Sequence, residues 1–283
     1  MKKILNRLQI KNDLVMAGKM YLIFLLINYS KISHHYFFGL VAFIIFFTLI
    51  SKNFILKYWF WLLISLALVP GIWDSFYFTG NHIILLIYMA ILFMIATYFS
   101  KFRNQVALVN AKVTLGIIMF FAVLQKLLSE EFMNGSSLAF INLKGGFFTH
   151  FQRFFPKNKE IIAENLNRIK EQASSVETLS KSIELTPVHW IIEFDTSILV
   201  PFILVAEAVF LLLLFVKNQY IRNVFFSLFA IALVFTRIET GFASLLCILL
   251  FLQAHKDHLI FKLSYIALFS VYVSLILARL GSH

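Results

Sequence analysis

Lys126 is the residue whose type and position most call for chemistry. It stands near the end of an otherwise apolar run, Gly116-Ile-Ile-Met-Phe-Phe-Ala-Val-Leu-Gln-Lys126-Leu-Leu-Ser-Glu-Glu-Phe-Met-Asn-Gly135. An amine at membrane depth is costly unless it is paired, reaches the interface or is used. Two carboxylates follow it, Glu130 and Glu131. Further polar residues stand at the ends of other apolar segments: Asp74 in Gly71-Ile-Trp-Asp74-Ser-Phe, the pair Asn81-His82, and Thr236-Arg237. Glu207 lies deeper, in Val205-Ala-Glu207-Ala-Val. An amine and an imidazole at the mouth of a Phe-rich bundle suit acid–base work on an amphiphilic molecule: a quinone, an isoprenoid or another lipid-like ligand. Desolvation favours the neutral form of an amine, the form a general base needs.

Each of these residues also has a plainer role. Lys126 can extend to the interface and pair with Glu130 at i,i+4. Asn81 can cap a helix, leaving His82 as an interfacial residue. Asp74 and Arg237 stand close to water. Glu207, some ten residues into its segment, must face other helices, protonated or paired, because lipid offers it nothing. His34, His35, His255 and His258 fall in loops without a ligand-like register, and no metal site is expected. A phosphate-binding glycine loop, an HExxH zinc motif and a GxSxG nucleophile elbow are all missing from the sequence. The one cysteine, Cys247, sits in an apolar run, which excludes CxxC chemistry and disulfides within the chain.

The elements that must position these groups follow from composition. Of 283 residues, 60% are hydrophobic and 34 are Phe, and mean hydropathy is +0.85. A soluble domain would leave too much of that surface in water, so the fold class is all-α, a polytopic membrane helix bundle. The net charge of +11 sits in short clusters between apolar spans, which reads as topology signals and not as a nucleic-acid surface.

Nine spans can be marked, at roughly 14–30, 36–51, 54–72, 82–99, 106–128, 197–216, 222–236, 240–254 and 259–280. The seventh and eighth are short and can also be read as a re-entrant pair. With the N-terminus cytoplasmic, inner segments carry Lys2, Lys3, Arg7 and Lys11, then Lys52 and Lys57, Lys101 and Arg103, Lys217 and Arg222, and Lys256. The C-terminus and the Lys126 end of the fifth span then fall outside. No small-residue cleavage site follows the first apolar segment, so it reads as an uncleaved helix.

One transmembrane domain, 1–283, thus carries one inserted polar segment, 143–196, outside the membrane between helices 5 and 6. Within it, Ile162, Leu166, Ile169, Ala173, Val176 and Ile183 recur at helical spacing. That amphipathic helix, about 157–185, lies against the membrane domain or headgroups, or binds a protein partner.

At these residues the chain resembles the membrane domain of the vitamin K-dependent gamma-carboxylase and its wider family, the horizontally transferred transmembrane (HTTM) domain. Asp74-Ser-Phe-Tyr-Phe-Thr-Gly-Asn81-His82 is similar to the family's aspartate followed by Asn-His at a helix start. Phe120-Phe-Ala-Val-Leu-Gln-Lys126-Leu-Leu, with Phe132 and Gly135, is similar to its lysine run. Glu207 and the break from Thr236 to Phe242 match less closely. The resemblance implies that Lys126 is the base for a reduced quinone, a vitamin K-like hydroquinone, with His82 beside it as a second catalytic residue. Asn81, Asp74, Glu207 and Arg237 then line the pocket. It also implies a bacterial inner-membrane protein.

Phe132 stands where the family usually has Trp, and Val123 where Gly is common. No large domain follows the last span before His283, so peptide carboxylation is not the expectation. Another redox or lipid-linked reaction at a quinol-type pocket is expected instead. The alternative is a noncatalytic membrane scaffold that binds lipid or a partner.

Overall fold

The computed structural model describes residues 13–28, 45–46, 48, 52–74, 81–145, 155–173, 184–188, 196–236, 240–255 and 258–280. Among them every regular element is a helix. In chain order these are α1 (Asp13–Asn28), α2 (Lys52–Ile55), α3 (Tyr58–Asp74), α4 (Asn81–Tyr98), α5 (Arg103–Leu128), α6 (Glu130–Met133), α7 (Ser136–Leu143), α8 (Pro156–Ala173), α9 (Thr196–Leu213), α10 (Gln219–Thr236), α11 (Thr240–Gln253) and α12 (Leu259–Leu280). Three are long and apolar enough to cross a membrane: Arg103–Leu128, Thr196–Leu213 and Leu259–Ala278. At ~1.5 Å per residue, about 20 residues match a ~30 Å hydrocarbon core. Their outward faces are apolar. On α9, Ile198, Phe202, Val205, Val209 and Leu212 are all exposed, a continuous stripe that water would not tolerate and acyl chains would. The chain is therefore a membrane protein.

The helices fall into two compact units, the first made of 1–117, 214–231 and 239–283, the second of 118–213 and 232–238. In the first unit α11 is buried almost throughout, from Phe242 to Leu252. A helix apolar on every side has no solvent face to present, so it becomes the centre of the packing. It packs against α12 and α1, while α3 pairs with α4. An aromatic cluster fixes the α1, α3 and α4 contacts. Trp61 stacks on Phe93 at 4.5 Å, and Tyr21 lies 5.6 Å from the same ring. Their polar atoms are satisfied, since Tyr21 Oη donates to the Leu86 carbonyl at 2.6 Å and Trp61 Nε1 to that of Ile55 at 2.8 Å. Gly18 makes room for this cluster; a Cβ there would meet Ile55 Cγ2 at 2.8 Å and the Trp61 ring at 3.2 Å.

The sequence spacing and the helices agree closely in position, with instructive differences. The expected span at 54–72 is two helices, because the chain turns at Phe54–Lys57, where Lys57 N donates to the Phe54 carbonyl at 2.9 Å. The expected span at 36–51 lies largely outside the described residues. α11, at 14 residues, is ~21 Å long and falls short of the hydrocarbon thickness.

The second unit holds the end of α5, then α6, α7, α8 and α9. Phe132, Leu138 and Val200 are its buried apolar cluster, with Leu199, Ile203 and Leu204 packed around it. Gly135, at φ +80°, takes the left-handed turn between α6 and α7. The same glycine lets Thr196 approach, since a Cβ would lie 2.8 Å from its Cβ. The amphipathic helix inside 143–196 exists as α8 over Pro156–Ala173; its expected continuation through 174–183 lies outside the described residues. Its buried edge is Asn158, Ile162 and Asn165, whereas Leu166 is 38% exposed. Asn165 overrides the apolar pattern because its side chain is fully used. Its Nδ2 donates to the Leu143 and Thr186 carbonyls, and its Oδ1 accepts from Thr186 N, each at 2.9 Å.

Candidate functional site

α5 carries Lys126 almost to its C-terminal end at Leu128. Ser129 then stops it, its hydroxyl capping the next short helix by accepting from Phe132 N at 3.2 Å. That break takes Glu130 out of the α5 register, so the i,i+4 pairing open to Lys126 in the sequence is not made. The partner is Glu207, 81 residues on. Nζ donates to Glu207 Oε1 at 2.8 Å and to Oε2 at 2.7 Å. Both side chains are nearly out of reach of solvent, at 14% and 8% exposure. Glu207 occupies the inward side of α9, between Val200 and Phe210, while that helix turns Val205 and Val209 outward. The amine lies 5.7 Å from the centre of the Phe132 ring, so its remaining face is covered by a π surface.

This arrangement is neither a lone base nor a surface ion pair. Ammonium with carboxylate, or amine with carboxylic acid, are the two ways to place the shared proton. At 2.7–2.8 Å the two groups are in direct contact, with no room for a water between them. Breaking such a buried pair by removing one partner is costly, because the survivor keeps its charge without compensation. Phe132 links the pair to a small cavity of about 150 Å³ lined by Leu138, Asn142, Val188, Thr196 and Leu199. That volume accepts a single six-membered ring rather than a large ligand.

His82 and Asn81 open α4 in the first unit, and Asp74 ends α3; their side chains lie outside the described residues. Arg237 also lies outside them. Among the described residues no group of His, Cys, Asp and Glu is placed to hold a metal.

Sequence reasoning passed over a second buried ion pair. Lys262 on α12 is 2% exposed and its Nζ lies 2.6 Å from Asp13 Oδ1 at the start of α1, with the Phe251 ring 5.5 Å away. The signal was present, since Lys262 stands one turn into an apolar segment with no acid three or four residues away on its own helix. Such a lysine demands a distant carboxylate.

No known protein family, no curated protein and no solved structure matches this chain.

Proposed function

We propose that this chain is an HTTM-like integral membrane protein that binds a quinol or a similar ring-bearing lipid and moves a proton at the Lys126–Glu207 pair. In this reading about nine helices cross the bacterial inner membrane, with the N-terminus cytoplasmic. The C-terminus and the 143–196 segment are extracytoplasmic. The observation that carries the reading is the buried pair itself, beneath the Phe132 ring, whose apolar cluster shares Leu138 and Leu199 with the lining of a ring-sized cavity. A quinol hydroxyl reaching the pair would replace one of the two hydrogen bonds that Lys126 gives Glu207. Proton removal then needs no charged group to leave the site, because the pair keeps its net charge as amine and carboxylic acid until the proton arrives.

A scaffold is the second reading, favoured by the fact that both carboxylate oxygens are engaged by one amine. There the pair is a clasp between α5 and α9. Extraction of the purified protein into organic solvent separates the two. The enzyme reading expects isoprenoid quinone to leave with wild type and to be depleted at least tenfold from Lys126→Ala, with both proteins folded. Equal or absent quinone in both, together with a large loss of thermal stability in the variant, contradicts it and makes the pair a clasp.

A further inference from the structure

The first unit holds a second polar cluster that neither ion pair uses. Arg222 and Asn223, in the first turn of α10, are 8% and 0% exposed. Arg222 Nε and both amide atoms of Asn223 have no hydrogen-bond partner among the described residues, nor has the buried Gln219 Oε1 one turn earlier. Burying such groups without partners costs each of them its hydration. The other deeply buried cations have carboxylates, Glu207 for Lys126 and Asp13 for Lys262. Arg222 has none among the described residues. Its neighbour is Tyr265, whose hydroxyl donates to the Asn223 carbonyl at 3.2 Å.

The helix end does not explain the cluster. Asn218 already caps α10, its Oδ1 accepting from Tyr220 N at 3.0 Å and Ile221 N at 3.2 Å. The vacant groups are side chains, and their chemistry is specific. Arg222 Nε and Asn223 Nδ2 are donors, matched to an oxyanion. Asn223 Oδ1 and Gln219 Oε1 are acceptors, matched to a hydroxyl. On the Arg222 side of the same helix, away from Gln219 and Asn223, Ile221 and Phe225 are exposed apolar residues, and Lys217 is exposed just before it. That is the profile of an acyl-chain face below a headgroup.

We propose that Arg222, Asn223 and Gln219 form a binding site for an acidic glycerophospholipid with a hydroxyl-bearing headgroup, such as phosphatidylglycerol. The phosphate takes the guanidinium and the amide N–H, and the two headgroup hydroxyls each donate to one of the two amide oxygens. Arg is suited to this as a planar, permanently charged donor that is weakly hydrated.

The test is thermal unfolding of the full chain in detergent during titration with phosphatidylglycerol, diacylglycerol or glycerol 3-phosphate. Phosphatidylglycerol is expected to raise the Tm saturably, with the other two ineffective at the same concentrations. Arg222→Gln should shift the half-saturation point at least tenfold, and Lys217→Gln less than twofold. Asn223→Asp supplies the missing carboxylate, so it should raise the Tm of the lipid-free protein and abolish the phosphatidylglycerol response. An equal response to diacylglycerol would reduce the effect to acyl contact, and an equal response to glycerol 3-phosphate would make the ligand a soluble oxyanion; either overturns the proposal. So does an unchanged titration in Arg222→Gln or Asn223→Asp.

Discussion

At the scale of single residues, a carboxylate and an amine in apolar segments each announce that they need a partner. Glu207→Leu should destabilise the protein by ~3–5 kcal/mol, since it strands the buried Lys126 ammonium. Glu207→Gln keeps two polar atoms for the amine and should cost less. The double change Lys126→Met with Glu207→Leu should recover most of the loss, because two apolar side chains of similar volume replace two desolvated charges. Thermal unfolding of wild type, Lys126→Met, Glu207→Leu and the double variant checks the cycle; additive losses in the double variant would mean the pair is not coupled. The need for partners at Lys126 and Glu207 was legible in the sequence, and so was the inward direction of Glu207. Their pairing was not, because an interaction 81 positions apart leaves no trace in local spacing. Glu130 looked equally eligible until Ser129 ended the helix. Lys262 signalled the same need from within its apolar segment, but Asp13 was not legible as its partner, because a charge at a span end can also mean water.

Elements were read well where hydrophobic runs set them and less well where one polar contact decided. The ends of α4, α5, α9 and α12 fall within a few residues of the spans marked from apolar content. The break between α2 and α3 escaped notice although Lys57 stands at it, because that lysine reads equally well as an orientation signal at the inner end of the span at 54–72. On α8 the apolar stripe predicted Leu166 inward, yet Asn165 is the buried residue, since three hydrogen bonds outweigh one partly exposed leucine. Replacing Asn165 with Leu should therefore release residues 184–188 from α8, read as faster hydrogen exchange and proteolysis at Glu184–Val188, with α5 and α9 unaffected. Gly135→Ala tests the α6–α7 turn. Its positive φ and the Thr196 contact together predict a loss of ~1–3 kcal/mol, only partly relieved by adding Thr196→Ala, because the backbone strain stays. Full relief would mean that the contact alone mattered.

At the scale of the whole molecule, composition makes the chain a membrane protein, and the exposed apolar faces of α9 and α10 agree with it. The alternation of basic loops predicts orientation. Single cysteines placed at 160–180 should react with an impermeant maleimide added outside, and those at 101–104 should not. Cys247 is buried and gives little background. The reverse pattern would invert the topology. What composition and charge do not encode is which helices gather around which polar groups, and that decides function. The most direct test uses the Lys126→Met/Glu207→Leu double variant, which is expected to keep the fold while removing the pair proposed to move a proton. Hydroquinone binding to wild type and to this variant, measured by titration in the same detergent, should differ at least tenfold in Kd while their Tm values stay close. Equal affinities in two equally stable proteins would contradict the account and leave the pair a structural clasp.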